Sequence, residues 1–322
     1  MELQGKRLLI TGIGGCVGLR TAERAIEQGM VVKGIQRTPE KARAAEALGA
    51  EVLVGSITDP VMAARACEDI DIVLHTAGIF RETGDLQPFI DVHVGGSLTM
   101  AQAAIQAGVK SFVHLSSALI YGYDYPNQVT EQGPFYSGND PYCKSKLAAE
   151  QALMALDKPA DFGLIILRPG DVYGPRTHWI TRSVAMMKRQ QFVLIDGGKG
   201  LMHHLYLDNL IDAIFLTLEK EAYGEIFNVT DGCATTWKEF GGRLAQIVQY
   251  PPPISLAKFA VKTFVKLNLS DEFSMASINT LLRPYPFSIE KIKALGYSPR
   301  IGLNEGMAIT ADWLRQTELV KQ

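Results

Sequence analysis

Cysteine is scarce in this chain. Four cysteines stand among 322 residues, at positions 16, 67, 143 and 233, with no C-x-x-C pair. That pattern excludes a disulfide framework and a cysteine zinc site and suits a reducing compartment. Charge of one sign is lacking too. Lys and Arg number 32 and Asp and Glu 34, for a net charge of −2, so charge points to neither nucleic acid nor an anionic membrane as partner. No apolar run reaches the roughly 18 residues a membrane span needs. Met1-Glu2-Leu3-Gln4-Gly5-Lys6 runs directly into a strand pattern, so no signal peptide is expected and a cytoplasmic location is the expectation. Internal repeats and low-complexity linkers are absent. The six histidines, at 75, 93, 114, 178, 203 and 204, show no metal-ligand spacing, and His203 and His204 cannot both face one site from a strand, so no metal is expected.

What the chain has in quantity is apolar side chain, 47%, ample for a buried core. Strand-like runs at Arg7–Thr11, Val31–Gln36, Glu51–Val54, Ile72–Thr76, Ser111–Ser116 and Gly163–Leu167 alternate with helical segments at Val17–Gln28, Pro39–Leu48, Val61–Glu68, Gly96–Ala107 and Tyr142–Leu156. This alternation predicts an α/β fold, a doubly wound parallel sheet covered by helices on both faces. It weakens after Pro169. A helix at Leu207–Glu219 and a strand at Glu225–Val229 return to the sheet, and Pro251-Pro252-Pro253 is a hard break in the irregular remainder. The expected layout is interleaved: residues 1–169 plus about 205–232 form a dinucleotide-binding lobe, and about 170–204 plus 233–322 a smaller substrate lobe.

Thr11-Gly12-Ile13-Gly14-Gly15-Cys16-Val17-Gly18 joins the first strand to the first helix. A helix N-terminus carries unpaired N–H groups and partial positive charge, which attract a pyrophosphate. Gly12 permits the tight turn, Gly14 adds freedom, Gly15 permits close backbone approach, and Gly18 lets helix lie on strand. Cys16 and Val17 supply the first helical N–H groups of the loop. At the end of the second strand an acidic residue would bond the ribose 2′-hydroxyl of NAD, but this chain has Gln36-Arg37. A guanidinium can hold a 2′-phosphate in a forked contact, so NADP(H) is favoured over NAD(H); the other reading of Arg37 is a solvated surface arginine.

Downstream, Tyr142 and Lys146 are spaced i, i+4 and share a helix face. An ammonium beside a phenol stabilises phenolate and is expected to lower the pKa of about 10 that a tyrosine brings. Ser116 or Ser117 ends the fifth strand, where strand C-termini line the ligand crevice of such a sheet. Phenol, ammonium, hydroxyl and dinucleotide together are equipment for moving a hydride and a proton.

With these motifs the chain resembles the extended short-chain dehydrogenase/reductase family. The resemblance rests on the glycine loop, on Leu74-His75-Thr76-Ala77-Gly78, on Ser116-Ser117-Ala118-Leu119-Ile120-Tyr121-Gly122, on Pro141-Tyr142-x-x-x-Lys146, on Leu167-Arg168-Pro169-Gly170-Asp171-Val172-Tyr173-Gly174-Pro175 and on Gly224-Glu225-Ile226-Phe227-Asn228-Val229, and it covers nearly the whole chain. It implies Ser117 as the oxygen-orienting serine, Tyr142 as acid/base and Lys146 as its partner. It implies nicotinamide contacts at Thr76, Ala77, Gly78, Pro169 and Val172, a second role for Lys146 on the nicotinamide ribose, and adenine contacts at Ser56 and Ile57. A homodimer is a family-based expectation. Two positions depart from the pattern. Ser56 stands where an acidic residue is usual, and His93 where asparagine is usual, either as its substitute or as a packed helix histidine.

Three functions follow from these readings. The first is an NADP-dependent oxidoreductase interconverting a ketone and a secondary alcohol on a fairly apolar small molecule, resembling 3β-hydroxysteroid dehydrogenase-like and dihydroflavonol reductase-like enzymes. The second is a nucleotide-sugar epimerase or dehydratase that recycles its cofactor; Gln36-Arg37 and Met202-His203-His204 argue against it. The third, a non-catalytic NADP-binding protein, sits poorly with Ser117, Tyr142 and Lys146 all present. The loop Tyr121–Tyr136, with Tyr123, Tyr125 and Phe135, and with Tyr173 and Trp179, is expected to form an apolar substrate wall or else to pack as a lid. The segment Leu256–Leu269 sets Lys258, Lys262 and Lys266 opposite Phe259, Ala260, Val261, Phe264 and Val265, an amphipathic helix that suits a surface, a membrane face or a substrate lid.

Overall fold

A computed structural model describes residues 1–80, 84–266, 274–317 and 319. The sheet strands are β1 (Arg7–Thr11), β2 (Val31–Gln36), β3 (Glu51–Val54), β4 (Ile72–His75), β5 (Ser111–Leu115) and β6 (Gly163–Pro169). Four short strands pair outside the sheet before it resumes: β7 (Asp171–Tyr173), β8 (Leu194–Ile195), β9 (Leu201–Met202) and β10 (His204–Tyr206). The seventh sheet strand is β11 (Ile226–Val229); β12 (Thr235–Thr236) and β13 (Ser255–Leu256) follow. All seven sheet strands run parallel in the order β11-β6-β5-β4-β1-β2-β3. The order reverses between β1 and β4, and a crevice for ligand opens at such a reversal, beyond the strand C-termini.

The α-helices are α1 (Cys16–Glu27), α2 (Pro39–Glu46), α3 (Pro60–Cys67), α4 (Leu86–Ile90), α5 (Ser97–Gln106), α6 (Pro141–Ala155), α7 (His178–Lys188), α8 (Leu207–Glu219), α9 (Trp237–Ile247), α10 (Lys258–Lys266), α11 (Met275–Thr280), α12 (Glu290–Leu295) and α13 (Leu303–Gln316). Strand alternation sends successive side chains to opposite faces. Leu8, Ile10, Ile72, Leu74, Val113, Ile165 and Leu167 pack with Leu19, Ala22 and Ala25 of α1 and Ile211 and Ile214 of α8. Leu9, Val73, Phe112, Leu164 and Ile166 pack on the other face with Ala63 and Ala66 of α3, Met100 and Ala104 of α5 and Leu153 of α6. Each fully buried Leu or Ile contributes about 1.5–3 kcal/mol, so both faces of the sheet are held as the sequence pattern requires.

The remaining elements build a third cluster. Val184 and Met187 of α7, Phe240 and Leu244 of α9 and Leu314 of α13 surround Tyr173 and Tyr206. β10 pairs with β7, β12 with β9 and β13 with β8. Helix α10 covers part of the expected segment 256–269; residues 267–269, and the side chains of Phe264 and Lys266, lie outside the described residues. Within it Val261 is buried and Phe259 is 76% exposed. Among the described residues no helix is long and apolar enough to cross a membrane.

Candidate active site

The cleft begins at the glycine loop. Gly12 has φ of +68°, and a side chain there would bring its Cβ to 3.0 Å from the Ala77 backbone. A Cβ on Gly18 would sit 2.6 Å from the Gly12 carbonyl oxygen, so the start of α1 can lie on the β1 turn only as glycine. No side chain caps α1, which leaves its first-turn N–H groups for an anion. Around this turn Gly12, Gly15, Cys16, Val17, Gly18, Gln36, Arg37, Ser56, Ile57, Thr76, Ala77 and Gly78 line one cleft of about 300 Å³. Gly14 does not line it; its N–H donates to the Gln36 Oε1 at 3.2 Å. Gln36 is thus turned back onto the loop, and Arg37 stands exposed at the cleft edge. Lys41 on α2 and Thr38 line the same edge. Sequence reasoning missed Lys41, although its i+4 spacing from Arg37 was the available signal.

A second cleft of about 310 Å³ continues from the first, sharing Cys16, Val17, Thr76, Gly78, Ile79 and Leu115 with it. Ser116, Ser117, Tyr142, Lys146, Pro169 and Val172 all line this second space. The Asp140 carboxylate accepts the Cys143 N–H at 2.9 Å and so caps α6 one turn before its reactive face. Ser117 Oγ accepts the Leu119 N–H at 3.1 Å and also reaches the Tyr142 phenol, while the buried Ser116 Oγ has no partner among the described residues. Of the two serines left open by the sequence, Ser117 is the one in contact with Tyr142.

The electrostatics differ from the sequence expectation. Burial raises the Tyr142 phenol above its ordinary value of about 10, against the opposing hydrogen bond from Ser117. The expected lowering by the lysine is corrected: burial raises the phenol, Cys143 and Asp140 add to the rise, and the opposing contact is Ser117, so the phenol stays protonated at neutral pH. The desolvated partner is Lys146, 6% exposed, whose ammonium donates to the Leu115 carbonyl oxygen at 2.8 Å. Burial pulls its pKa down to about 8, with Glu150 opposing. Glu150 is in turn held by the buried Arg168 at 2.6 Å. Burial and the Lys146 charge keep His75 and His93 neutral, each with a pKa of about 3, and hold His114 well below its usual range.

His93 is 1% exposed, lines the second cleft and meets the Tyr142 ring edge-on at 5.6 Å between centroids. It sits in a π-helical turn, Asp91–Gly96, which inserts a wide turn between α4 and α5. Its Nε2 lies 2.9 Å from the Ile79 N–H and its Nδ1 2.8 Å from Ser145 Oγ, which donates to the Tyr142 carbonyl oxygen at 3.0 Å. Nε2 also lies 3.1 Å from the Ile79 carbonyl oxygen, so the Ile79 backbone offers a partner to either tautomer. His93 thereby joins the cleft wall at Ile79 to the helix that carries the phenol.

Apolar groups dominate the rest of the second cleft: Ile79, Phe80, Leu119 and Trp179, with His178 and Arg283. Phe80 meets Tyr142 edge-on at 5.4 Å between ring centroids. Phe80, His178 and Arg283 were not foreseen; only Trp179 of the expected aromatic wall is there. Tyr121 instead donates to Asn228 at 2.6 Å and accepts from Arg168. Tyr125 packs on Phe287, Tyr123 donates to Asp140, and Tyr173 is fully buried in the third cluster. Phe135 lies beside Tyr121 and under the Arg168 guanidinium. Those rings pack structure, because a buried guanidinium must be surrounded by acceptors and ring faces. His203 and His204 are buried behind β7, tied to Asp171 and Asp231. Asp171 is also the partner of the buried Arg283. Among the described residues no group of three or more His, Cys, Asp or Glu is placed to hold a metal.

Comparison with known proteins agrees with this geometry. The family model described as NAD dependent epimerase/dehydratase family matches residues 8–230. A mouse dTDP-D-glucose 4,6-dehydratase is 28% identical, covering 77% of this chain and 69% of its own length. A 4-hydroxy-2-methyl-3-oxo-4-farnesyl-3,4-dihydroquinoline-1-oxide ketoreductase of Stigmatella aurantiaca is 25% identical over 73% of this chain and 71% of its own. Among solved structures, the Bordetella bronchiseptica enzyme WbmG in complex with NAD superimposes with a TM-score of 0.80 at 22% identity, covering 98% of this chain and 96% of that one. On the family match, the seven-stranded sheet and the glycine loop, the chain belongs to the NAD dependent epimerase/dehydratase family of extended short-chain dehydrogenase/reductase enzymes.

Proposed function

We propose that the protein is an NADP(H)-dependent oxidoreductase that interconverts a ketone and a secondary alcohol on a fairly apolar small molecule. The observation that carries this reading is the wall beside Tyr142. Ile79, Phe80, Leu119 and Trp179 face the space next to the phenol, and Asp171 is the one carboxylate among the described lining residues. That carboxylate is buried against Arg283 and the His203 N–H. Dehydrating a sugar requires a further acid and base at the ring besides the phenol, and a carboxylate already engaged by a guanidinium suits that work poorly.

The glycine turn supports a dinucleotide fit, since backbone takes the space that side chains would fill at Gly12 and Gly18. Gly12, Gly15, Cys16, Val17 and Gly18 would hold the pyrophosphate. Arg37, with Lys41 and Thr38 beside it, would hold a 2′-phosphate, and Ser56 and Ile57 the adenine edge. Thr76, Ala77, Gly78, Pro169 and Val172 would hold the nicotinamide half. The cofactor supplies or accepts the hydride when bound. Tyr142, protonated at neutral pH, then gives its phenolic proton to the substrate oxygen. Ser117 accepts the Leu119 N–H and keeps its own hydroxyl proton to orient that oxygen. The Lys146 ammonium stabilises the phenolate that remains and returns charge balance. We take residues 1–169 plus about 205–232 as the cofactor lobe and the remainder as the lobe that closes over substrate.

A second reading, a sugar-nucleotide epimerase or dehydratase with recycled NAD, draws on the mouse dehydratase relative and on WbmG, which holds NAD. The Stigmatella ketoreductase favours the first. Tyr142→Phe tests the mechanism. Turnover of a ketone substrate should fall about 10²–10⁴-fold while NADPH affinity is kept; near-normal turnover would remove Tyr142 from the acid/base role.

A further inference from the structure

A run of ring contacts leaves the phenol and ends at a small cavity that shares Trp179 with the cleft. Tyr142 meets Phe80 at 5.4 Å, Phe80 meets His178 at 4.9 Å, His178 meets Trp179 at 6.4 Å and Trp179 meets Trp237 at 5.2 Å. Trp179, half-buried at the start of α7, lines the cleft beside Tyr142 and also a small cavity of about 40 Å³ between α7, β8, α9 and α11. Phe192, Leu194 and Leu281 form its apolar walls, and Arg182 is its one charged lining residue. Trp237 is 3% exposed there, and its indole Nε1–H has no acceptor among the described residues. A buried N–H without an acceptor is costly, and a compact oxygen-bearing group would remove that cost.

We infer that this cavity is the distal subsite of the substrate site, and that it takes a compact apolar terminus carrying one acceptor oxygen, such as a methoxy group, which hydrogen-bonds Trp237. The volume admits only a few heavy atoms. The rest of the substrate is flat and apolar and lies along the rings from Tyr142 to Trp179, with its carbonyl at the phenol. A nucleoside diphosphate matches neither the cavity's size nor its lining. This inference rests on the oxidoreductase reading and names the substrate class for it.

The test uses two probes, 2-acetyl-6-methoxynaphthalene and 2-acetyl-6-methylnaphthalene, on the full chain with NADPH. Two readouts run in parallel: the Trp237 indole N–H resonance, assigned with Trp237→Phe, and NADPH consumption. The methoxy probe should move that resonance downfield and bind about 5- to 10-fold more tightly than the methyl probe. Trp237→Phe, which keeps the ring and loses the donor, should erase that preference. Leu281→Phe, which fills the cavity, should weaken both probes about tenfold; if it does not fold, Trp237→Phe still decides. A resonance that answers neither probe, as when a water holds the N–H, or a preference that survives Trp237→Phe, overturns the subsite. Binding with the expected shift but no NADPH consumption keeps the subsite and sinks the redox reading. Turnover without the shift does the reverse, and neither binding nor turnover sinks both.

Discussion

Replacing Lys146 by methionine isolates the energetics of the buried ammonium. Lys146 is 6% exposed and its pKa is held down to about 8 from an ordinary 10.5, chiefly by desolvation. Between those values the unfolded chain binds a proton that the folded protein does not, so stability rises with pH across that window. Two pH units, from 8 to 10, at about 1.4 kcal/mol each amount to about 3 kcal/mol. Below pH 8 both states carry the charge and the contribution is flat, with the folded state bearing the cost of burying it. Lys146→Met has no proton to lose. Urea unfolding of both proteins at pH 7 and pH 10 cancels the other titrations. The wild type should gain about 3 kcal/mol relative to Lys146→Met on going to pH 10, and the variant should have lost turnover at both. Parallel pH dependences of the two proteins would refute the picture of a desolvated lysine.

Arg37→Ala and Lys41→Ala should each weaken NADPH about 10- to 100-fold, since a charged hydrogen bond to phosphate is worth about 1.5–3 kcal/mol, and should leave NADH affinity nearly unchanged by titration. NADPH binding indifferent to both would return the chain to the NAD-holding side of its family. Glu150→Gln leaves the Arg168 guanidinium, 1% exposed, without its carboxylate and should cost about 3–5 kcal/mol in urea unfolding. Because Glu150 also raises the Lys146 pKa, the same variant should move the alkaline limb of activity to lower pH; an unmoved limb would show that the two are not coupled.

The sheet was legible because its signal is local. Every expected sheet strand and helix of the first 169 residues is present with ends within two residues, since buried parallel strands read as short apolar runs and helix starts carry Pro39, Pro60 and Pro141. Tyr142 and Lys146 were legible for the same reason, one helical repeat; the strand end offered Ser116 or Ser117, and the family resemblance named Ser117. What could not be read depends on partners far apart in sequence. Tyr121 and Phe135 were expected to face substrate, yet they enclose Arg168, a residue 47 positions from Tyr121. Nothing in the spacing of Arg168 announced that it would be buried. Phe80 and Arg283 reach the cleft from an irregular segment after β4 and from beyond α11, and Lys41 from the first turn of α2. The phenol's raised pKa likewise follows from burial, which the i, i+4 spacing of Tyr142 and Lys146 does not report.

Cofactor stoichiometry tests the central claim most directly. Aryl ketones, steroids, flavonoids and β-keto compounds are incubated with the protein and NADPH, with UDP- and dTDP-sugars in parallel, and nicotinamide absorbance is followed against product. The account predicts that an apolar ketone is reduced with one NADPH consumed per alcohol formed, and that the sugar nucleotides are left unchanged. Conversion of a sugar nucleotide with no net change in cofactor would contradict it.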